Sequence, residues 1–391
     1  MSSNIRYAGA MASPSSTHAS APGPESCARE LRASVDMDRL AGNLKLMRKA
    51  SRGLGILAAV KADAYGHGAV QVARTLESAN VDGFCVATLQ EALELRRAGL
   101  SSRILVFGGI RSEAVAVAAA HAIDLTVVSA DHLRELAILV PQHPVGLHVK
   151  LDTGMGRSGI LLSELGSCLD LIRGLRPWIQ GVMGHFSSAE DPDPAVSTLQ
   201  RRRFLEARRL LGDAGIAPSM IHHGNSVACL RGFTEGDSHV RCGISLYGIC
   251  DLEAARQAGL QPILELSAEV FRAVRVPAGT TVGYGCSYVA PQPVKLATLS
   301  CGYADGYPRA LAHRARVGFR GETFPVVGKI SMDSLTVAVP ETLDIVAGDR
   351  MILLSREGGE PHSVVNTARL LGTIPYEVTC ALNRRVLREP A

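Results

Sequence analysis

From about residue 35 to residue 258 two hydrophobic periods alternate along the chain, and this alternation constrains the fold more than any other feature. Val35–Ala50 places Leu40, Leu44 and Met47 at helical spacing, with Asp36 as the N-cap. Short apolar runs then recur at Leu54–Val60, Phe84–Ala87, Ile104–Phe107, Leu125–Val128, Gly146–Leu151, Ile179–Met183, Met220–His222 and Val240–Ile244. Amphipathic stretches such as Leu89–Arg97, Ala130–Leu139 and Thr198–Leu211 separate most of them. Eight strands alternating with helices predict an α/β unit, a (β/α)8 barrel over residues 31–258. A doubly wound open sheet is the competing arrangement, since periodicity alone does not show closure.

After about Gln261 the texture changes. Ile263–Val276, Lys295–Cys301, Thr323–Val327, Leu335–Val339 and Arg350–Leu354 alternate as strands, which predicts a β-rich second domain over 259–391. Helical stretches at Ser363–Leu371 and Glu377–Val386 close it. Residues 1–30, rich in Ala, Ser, Pro and Gly, read as a disordered leader.

A net charge of +4 argues against nucleic acid or an anionic membrane as a partner. The arginines Arg201, Arg202, Arg203, Arg208 and Arg209 read as a solvated helix face rather than a binding patch. The nine cysteines are odd in number and contain no C-x-x-C pair, so they read as reduced cytoplasmic thiols and not as a disulfide framework or a metal site. No apolar run approaches the roughly 18 residues that span a bilayer.

In a barrel, functional groups gather where the strands end. The first apolar run stops on Lys61, followed by Tyr65 and two glycines. A lysine at the mouth of a buried strand is desolvated, which lowers its pKa and suits it to a Schiff base with an aldehyde cofactor. On this reading Lys61 anchors pyridoxal 5'-phosphate and the Tyr65 hydroxyl donates to its phosphate. Polar clusters also follow the later strands: Lys150–Arg157, Gly184–Phe186, His222–Ser226 and Arg241–Ile244. Ser226, Gly243 and Ile244 offer the hydroxyl, backbone N–H groups and close approach that a phosphate requires. Arg157 is a fixed cation for a carboxylate or phenolate oxygen. Arg241 against a pyridine nitrogen would disfavour protonation of the ring. His185 and His222 are equally compatible with ordinary buried histidines.

With these residues in view, the chain resembles the alanine racemase family from about Ser34 to Arg388. The motifs that carry the resemblance are A-V-K-A-D-A-Y-G-H-G, K-L-D-T-G-M-G-R, V-G-Y-G-C-S-Y, G-Y-A-D-G-Y-P-R and S-M-D. The resemblance implies pyridoxal-phosphate chemistry in a homodimer, with Lys61 and Tyr284 as two catalytic bases and Tyr284 arriving from the partner subunit. It implies that Tyr65, Ser226, Gly243, Ile244 and Tyr376 hold the phosphate. It places Arg241 at the ring nitrogen with His222 behind it, and His185 near the catalytic tyrosine. Arg157 would bind the phenolic oxygen and the substrate carboxylate. Met332 would give a backbone N–H to that carboxylate across the dimer, Tyr303 would narrow the entrance, and Lys150 would orient Arg157.

The implied reaction interconverts L- and D-alanine through an aldimine, supplying D-alanine for peptidoglycan. As a base Tyr284 needs nearby positive charge, which His185 and the arginines are expected to supply. A serine or broad-specificity racemase, a basic amino-acid decarboxylase and a non-catalytic pyridoxal-phosphate carrier are the alternatives. Tyr284 and the second domain speak against the carrier, and Tyr303 and Tyr376 favour a small side chain.

Overall fold

A computed structural model describes residues 31–391; the leader expected at 1–30 lies outside the described residues. The first described element is a strand, β1 (Leu31–Val35), whose Leu31, Ala33 and Val35 are buried in alternation. The helix expected from Val35 therefore begins at Met37 and runs to Ala50. Asp36 does cap it, accepting the Arg39 N–H at 2.9 Å.

Eight parallel strands follow: β2 (Gly55–Ala59), β3 (Gly83–Val86), β4 (Ile104–Val106), β5 (Ile123–Val127), β6 (Leu147–Asp152), β7 (Ile179–Met183), β8 (Met220–His222) and β9 (His239–Cys242). Every residue of β3 and β4 is buried, as expected of parallel strands covered on both faces. The strands pair in chain order from β2 to β8, and β9 returns to β2 with His239 opposite Gly55. The β8–β9 seam is closed by Ser238 N–H donating to Ile221 O at 2.8 Å and Arg241 N–H to Gly224 O at 3.0 Å. The expected barrel is therefore present, and the open sheet is not.

The second sheet contains β1 together with β10 (Leu264–Val276), β11 (Val294–Leu299), β12 (Arg316–Phe319), β13 (Glu322–Val327), β14 (Leu335–Val339), β15 (Arg350–Leu354) and β16 (Leu387–Pro390). β1 runs antiparallel to β10 and parallel to β16, so the first and last described strands lie side by side. The periodicity missed β1, β12 and β16. The helix expected over Glu377–Val386 is shorter, Pro375–Cys380, and the chain then turns into the edge strand β16. No helix among the described residues is long and apolar enough to cross a membrane.

The arginine-rich helix runs over Ala195–Asp213 and is more than a solvated face. Arg202, Arg208 and Arg209 are exposed, but Arg201 is buried. Its guanidinium forks onto Asp237 at 2.9 and 3.1 Å, above the rings of Phe186 and Phe204. Asp237 in turn accepts the His223 and Gly224 N–H groups at 3.1 and 2.8 Å, which fixes the loop after β8. Deleting one partner of a buried pair leaves an uncompensated charge. Asp237→Ala should therefore lower the unfolding free energy by about 3–5 kcal/mol in urea denaturation. Arg202→Ala, on the solvent side of the same helix, should change it by less than about 0.5 kcal/mol.

Candidate active site

One cavity of about 630 Å³ opens at the carboxyl ends of the barrel strands. Ala59, Ala87, Phe107, Val128, Lys150, Met183, Asn225 and Gly243 each reach it from a different strand end. Lys61, Tyr65, Arg157, His185, Ser226, Arg241, Gly243, Ile244 and Tyr376, all singled out from the sequence, line it as well. Burial, and next the charge of Arg157, holds the Lys61 amine below the ordinary lysine range.

Lys61 owes its place to an uncommon backbone. Ala62, Asp63, Ala64 and Tyr65 all have left-handed torsions, with φ between 52° and 56°. Glu91 accepts the Ala62 N–H at 2.7 Å through Oε1, while Oε2 accepts the Ala87 N–H at 2.7 Å. Asp63 accepts the Ala69 N–H at 2.7 Å, and the buried His67 bonds through Nδ1 to the Ala64 and Tyr65 carbonyls at 2.9 and 3.0 Å. Neither Glu91 nor His67 was singled out from the sequence. The Thr88–Glu91 capping box is a legible signal for the first.

Tyr65 packs between Tyr247 and Tyr376, with ring centroids 5.0 and 5.6 Å away. Burial raises the pKa of both Tyr65 and Tyr376, so both remain protonated donors. A Cβ on Gly243 would lie 2.6 Å from the Tyr65 hydroxyl, so only glycine permits this approach. The Ser226 hydroxyl accepts the Gly243 N–H at 2.9 Å and the Ser245 hydroxyl at 2.9 Å. Asn225 orients Ser226 by capping the helix Ser226–Leu230, accepting the Ala228 N–H at 2.9 Å.

On the opposite wall, Asp152 accepts three backbone N–H groups, from Gly154, Met155 and Gly156, at 2.9–3.2 Å. This folds the glycine-rich loop that presents Arg157. Lys150 donates to the Ser158 hydroxyl, and burial beside Arg157 and Arg241 pushes its pKa down to about 8. Arg241 is fully engaged at both terminal nitrogens. Nη1 donates to His222 Nδ1 at 3.0 Å and to the His222 carbonyl, and Nη2 to Gly184 O at 2.7 Å and His185 Nδ1 at 3.0 Å. His222 thus lies behind Arg241, away from the cavity lining.

The structure corrects one electrostatic expectation. Burial, then Arg241, Arg157 and Lys150, holds the pKa of His185 well below its ordinary value. It is a neutral acceptor and supplies no positive charge; the arginines and lysines carry it.

Tyr284, Tyr303 and Met332 do not line this cavity in the single chain. They are 69, 42 and 53% exposed, which is unusual for large apolar side chains. They lie close together: the Tyr303 and Ala304 N–H groups donate to Ser331 and Met332 carbonyls at 3.1 and 3.0 Å, and the Tyr284 loop packs against Gly328 and Lys329.

Comparison with known proteins agrees with this geometry. The family models for the alanine racemase N-terminal and C-terminal domains match residues 35–251 and 263–390. An alanine racemase of Symbiobacterium thermophilum is 35% identical over 365 residues, covering 91% of this chain and 96% of that protein. One of Geobacillus kaustophilus is 36% identical, covering 90% and 92%. Among solved structures, alanine racemase from Streptomyces coelicolor superposes with a TM-score of 0.87 at 29% identity, covering 93% of this chain and 98% of that one. The enzyme from the D-cycloserine producer Streptomyces lavendulae gives 0.85 at 31%, covering 93% and 97%. With both family models matched in order over the barrel and the β domain, the chain belongs to the alanine racemase family.

Proposed function

We propose that this protein is a cytoplasmic, pyridoxal-phosphate-dependent racemase that interconverts L- and D-alanine, working as a homodimer and supplying D-alanine for peptidoglycan. The observation that carries this reading is the convergence of Lys61, Arg157, Arg241 and the Tyr65–Ser226–Gly243 cradle on one cavity. The donors fit the cofactor. Protonated Tyr65 and Tyr376, the Ser226 hydroxyl and the Gly243 and Ile244 backbone suit a phosphate, and the close approach of Tyr65 to Gly243 leaves no room for a side chain there. Arg157 and Arg241, with Lys150 beside them, suit a doubly charged phosphate together with a substrate carboxylate.

When bound, the cofactor supplies an aldehyde that couples to the substrate nitrogen and a conjugated ring that takes up the electron pair released at Cα. The chain supplies the rest. Arg157 binds the carboxylate, and its fixed charge orients the Cα–H bond. Lys61, whose lowered pKa favours the free amine, takes or returns the proton on the face used by D-alanine. Tyr284 of a second copy serves the face used by L-alanine. Met332 of that copy gives a backbone N–H to the carboxylate, and its Tyr303 narrows the entrance to a small side chain. Two bases on opposite faces are what inversion requires. The exposed Tyr284–Tyr303–Met332 patch supports this sharing, because such a surface is suited to burial against another copy. Cys85, Cys168, Cys229, Cys242, Cys250, Cys286 and Cys380 are free thiols, in keeping with a reducing compartment.

Borohydride reduction of the cofactor-loaded protein should leave a pyridoxyl mass on Lys61, and Lys61→Ala should abolish that label. Tyr284→Phe should slow solvent-deuterium exchange at Cα of L-alanine by roughly 10²–10⁴-fold while sparing D-alanine. Mixing Lys61→Ala with Tyr284→Phe subunits should restore roughly a quarter of the wild-type sites if the two residues meet across an interface. A mixture as inactive as its parents would place both bases within one chain.

A further inference from the structure

Beneath the cavity, a file of polar groups runs through the barrel interior to Arg241, and its lower members are not used by the reaction above. Arg103, beside β4, bonds Asp124 Oδ2 at 2.5 Å. Asp124 is near the amino end of β5, and its Oδ2 lies 3.4 Å from His148 Nε2. His148 Nδ1 is 2.8 Å from His222 Nε2, and His222 Nδ1 is 3.0 Å from Arg241 Nη1. The file thus crosses from one end of the barrel to the other. Both histidines are fully buried. Two glycines make room for it: a Cβ on Gly146 would fall 2.2 Å from Asp124 Oδ1, and one on Gly181 2.3 Å from His148 Nδ1.

Hydrogen-bond polarity along this file is determined from its ends. Arg241 only donates, and an ionised Asp124 only accepts. Burial tends to raise the pKa of Asp124, but His148 and Arg103 outweigh it and hold the carboxyl below its ordinary value. Burial lowers the pKa of both histidines, which favours neutral rings. A neutral imidazole carries one N–H, so each must be the Nε2–H tautomer, with every donor pointing towards Asp124.

We propose that Asp124 and His148 are positioning residues for Arg241: they lock His222 as the Nε2–H tautomer, so that its Nδ1 lone pair holds the guanidinium. With four Nη hydrogens committed, the Nε–H of Arg241 is left without a protein acceptor among the described residues and is free to serve the cavity. The opposite His222 tautomer would set donor against donor and release the arginine. The consequence for the ring nitrogen rests on the role proposed above for Arg241. The tautomer readout needs no cofactor, so a failure of the file and a failure of that role are distinguishable.

Nitrogen-15 histidine spectra of the full-length protein, with and without pyridoxal phosphate, test this. In the wild type both His148 and His222 should show a protonated Nε2 and a bare Nδ1. Asp124→Ala should scramble the His222 tautomer, whereas Asp124→Asn, whose amide oxygen still accepts, should preserve it. In the loaded enzyme Asp124→Ala should lower kcat in both directions by about 10–100-fold, by analogy with the outer-shell partners that orient metal ligands, with KM nearly unchanged. If Asp124→Ala does not fold, His148→Leu removes the same link and should scramble His222. A protonated Nδ1 on either histidine in the wild type, or an unchanged His222 in the folded Asp124→Ala or His148→Leu protein, would overturn the proposal.

Discussion

The left-handed turn after β2 is the constraint on which the site depends. Four consecutive non-glycine residues hold torsions that cost roughly 1–2 kcal/mol each. Such a turn persists only if its surroundings over-determine it, and they do so from three directions. Glu91 reaches it from the neighbouring helix, His67 and Asp63 tie it from within, and Arg388 of the second sheet bonds Gly66 O at 2.8 Å. Gly66 itself must be glycine, since a Cβ there would strike the Thr379 carbonyl. The Lys61 amine and the Tyr65 hydroxyl, to which we assign the aldehyde and phosphate roles, are therefore placed by both halves of the chain together.

The electrostatics follow from that placement. Burial depresses the pKa values of Lys61, Lys150 and His185, and the charge of Arg157 lowers all three further. Such a cluster relaxes on meeting an anion, so the phosphate and carboxylate that the site is suited to bind would also relieve its repulsion. Of the two carboxylates that line the cavity, Glu190 and Asp251, the second is already paired with Arg369 at 2.8 Å.

Much of this was legible in the sequence, for physical reasons that vary by element. The barrel strands announced themselves because a parallel strand buried on both faces must be apolar throughout. The cavity residues announced themselves because polar groups at strand ends break that pattern abruptly. β1 was hidden because its partner β10 lies over 220 residues away, and five alternating residues are too few to outweigh the helix that follows. Arg201 was hidden among exposed arginines of the same helix, and only the fold brings Asp237 beneath it. The Asp124–His148–His222 file was hidden for a similar reason: its members come from three strands, and only the fold brings them together.

β1 has a mechanical consequence. It sits inside the second sheet, between β10 and β16, yet leads directly into the barrel's first helix. The two halves are thus stitched by the chain at two crossings rather than joined by a single tether, which resists hinge-like swinging of one against the other. A polypeptide begun at Met37 would keep every barrel strand and still leave β10 and β16 with bare edges, the condition under which sheets recruit foreign strands.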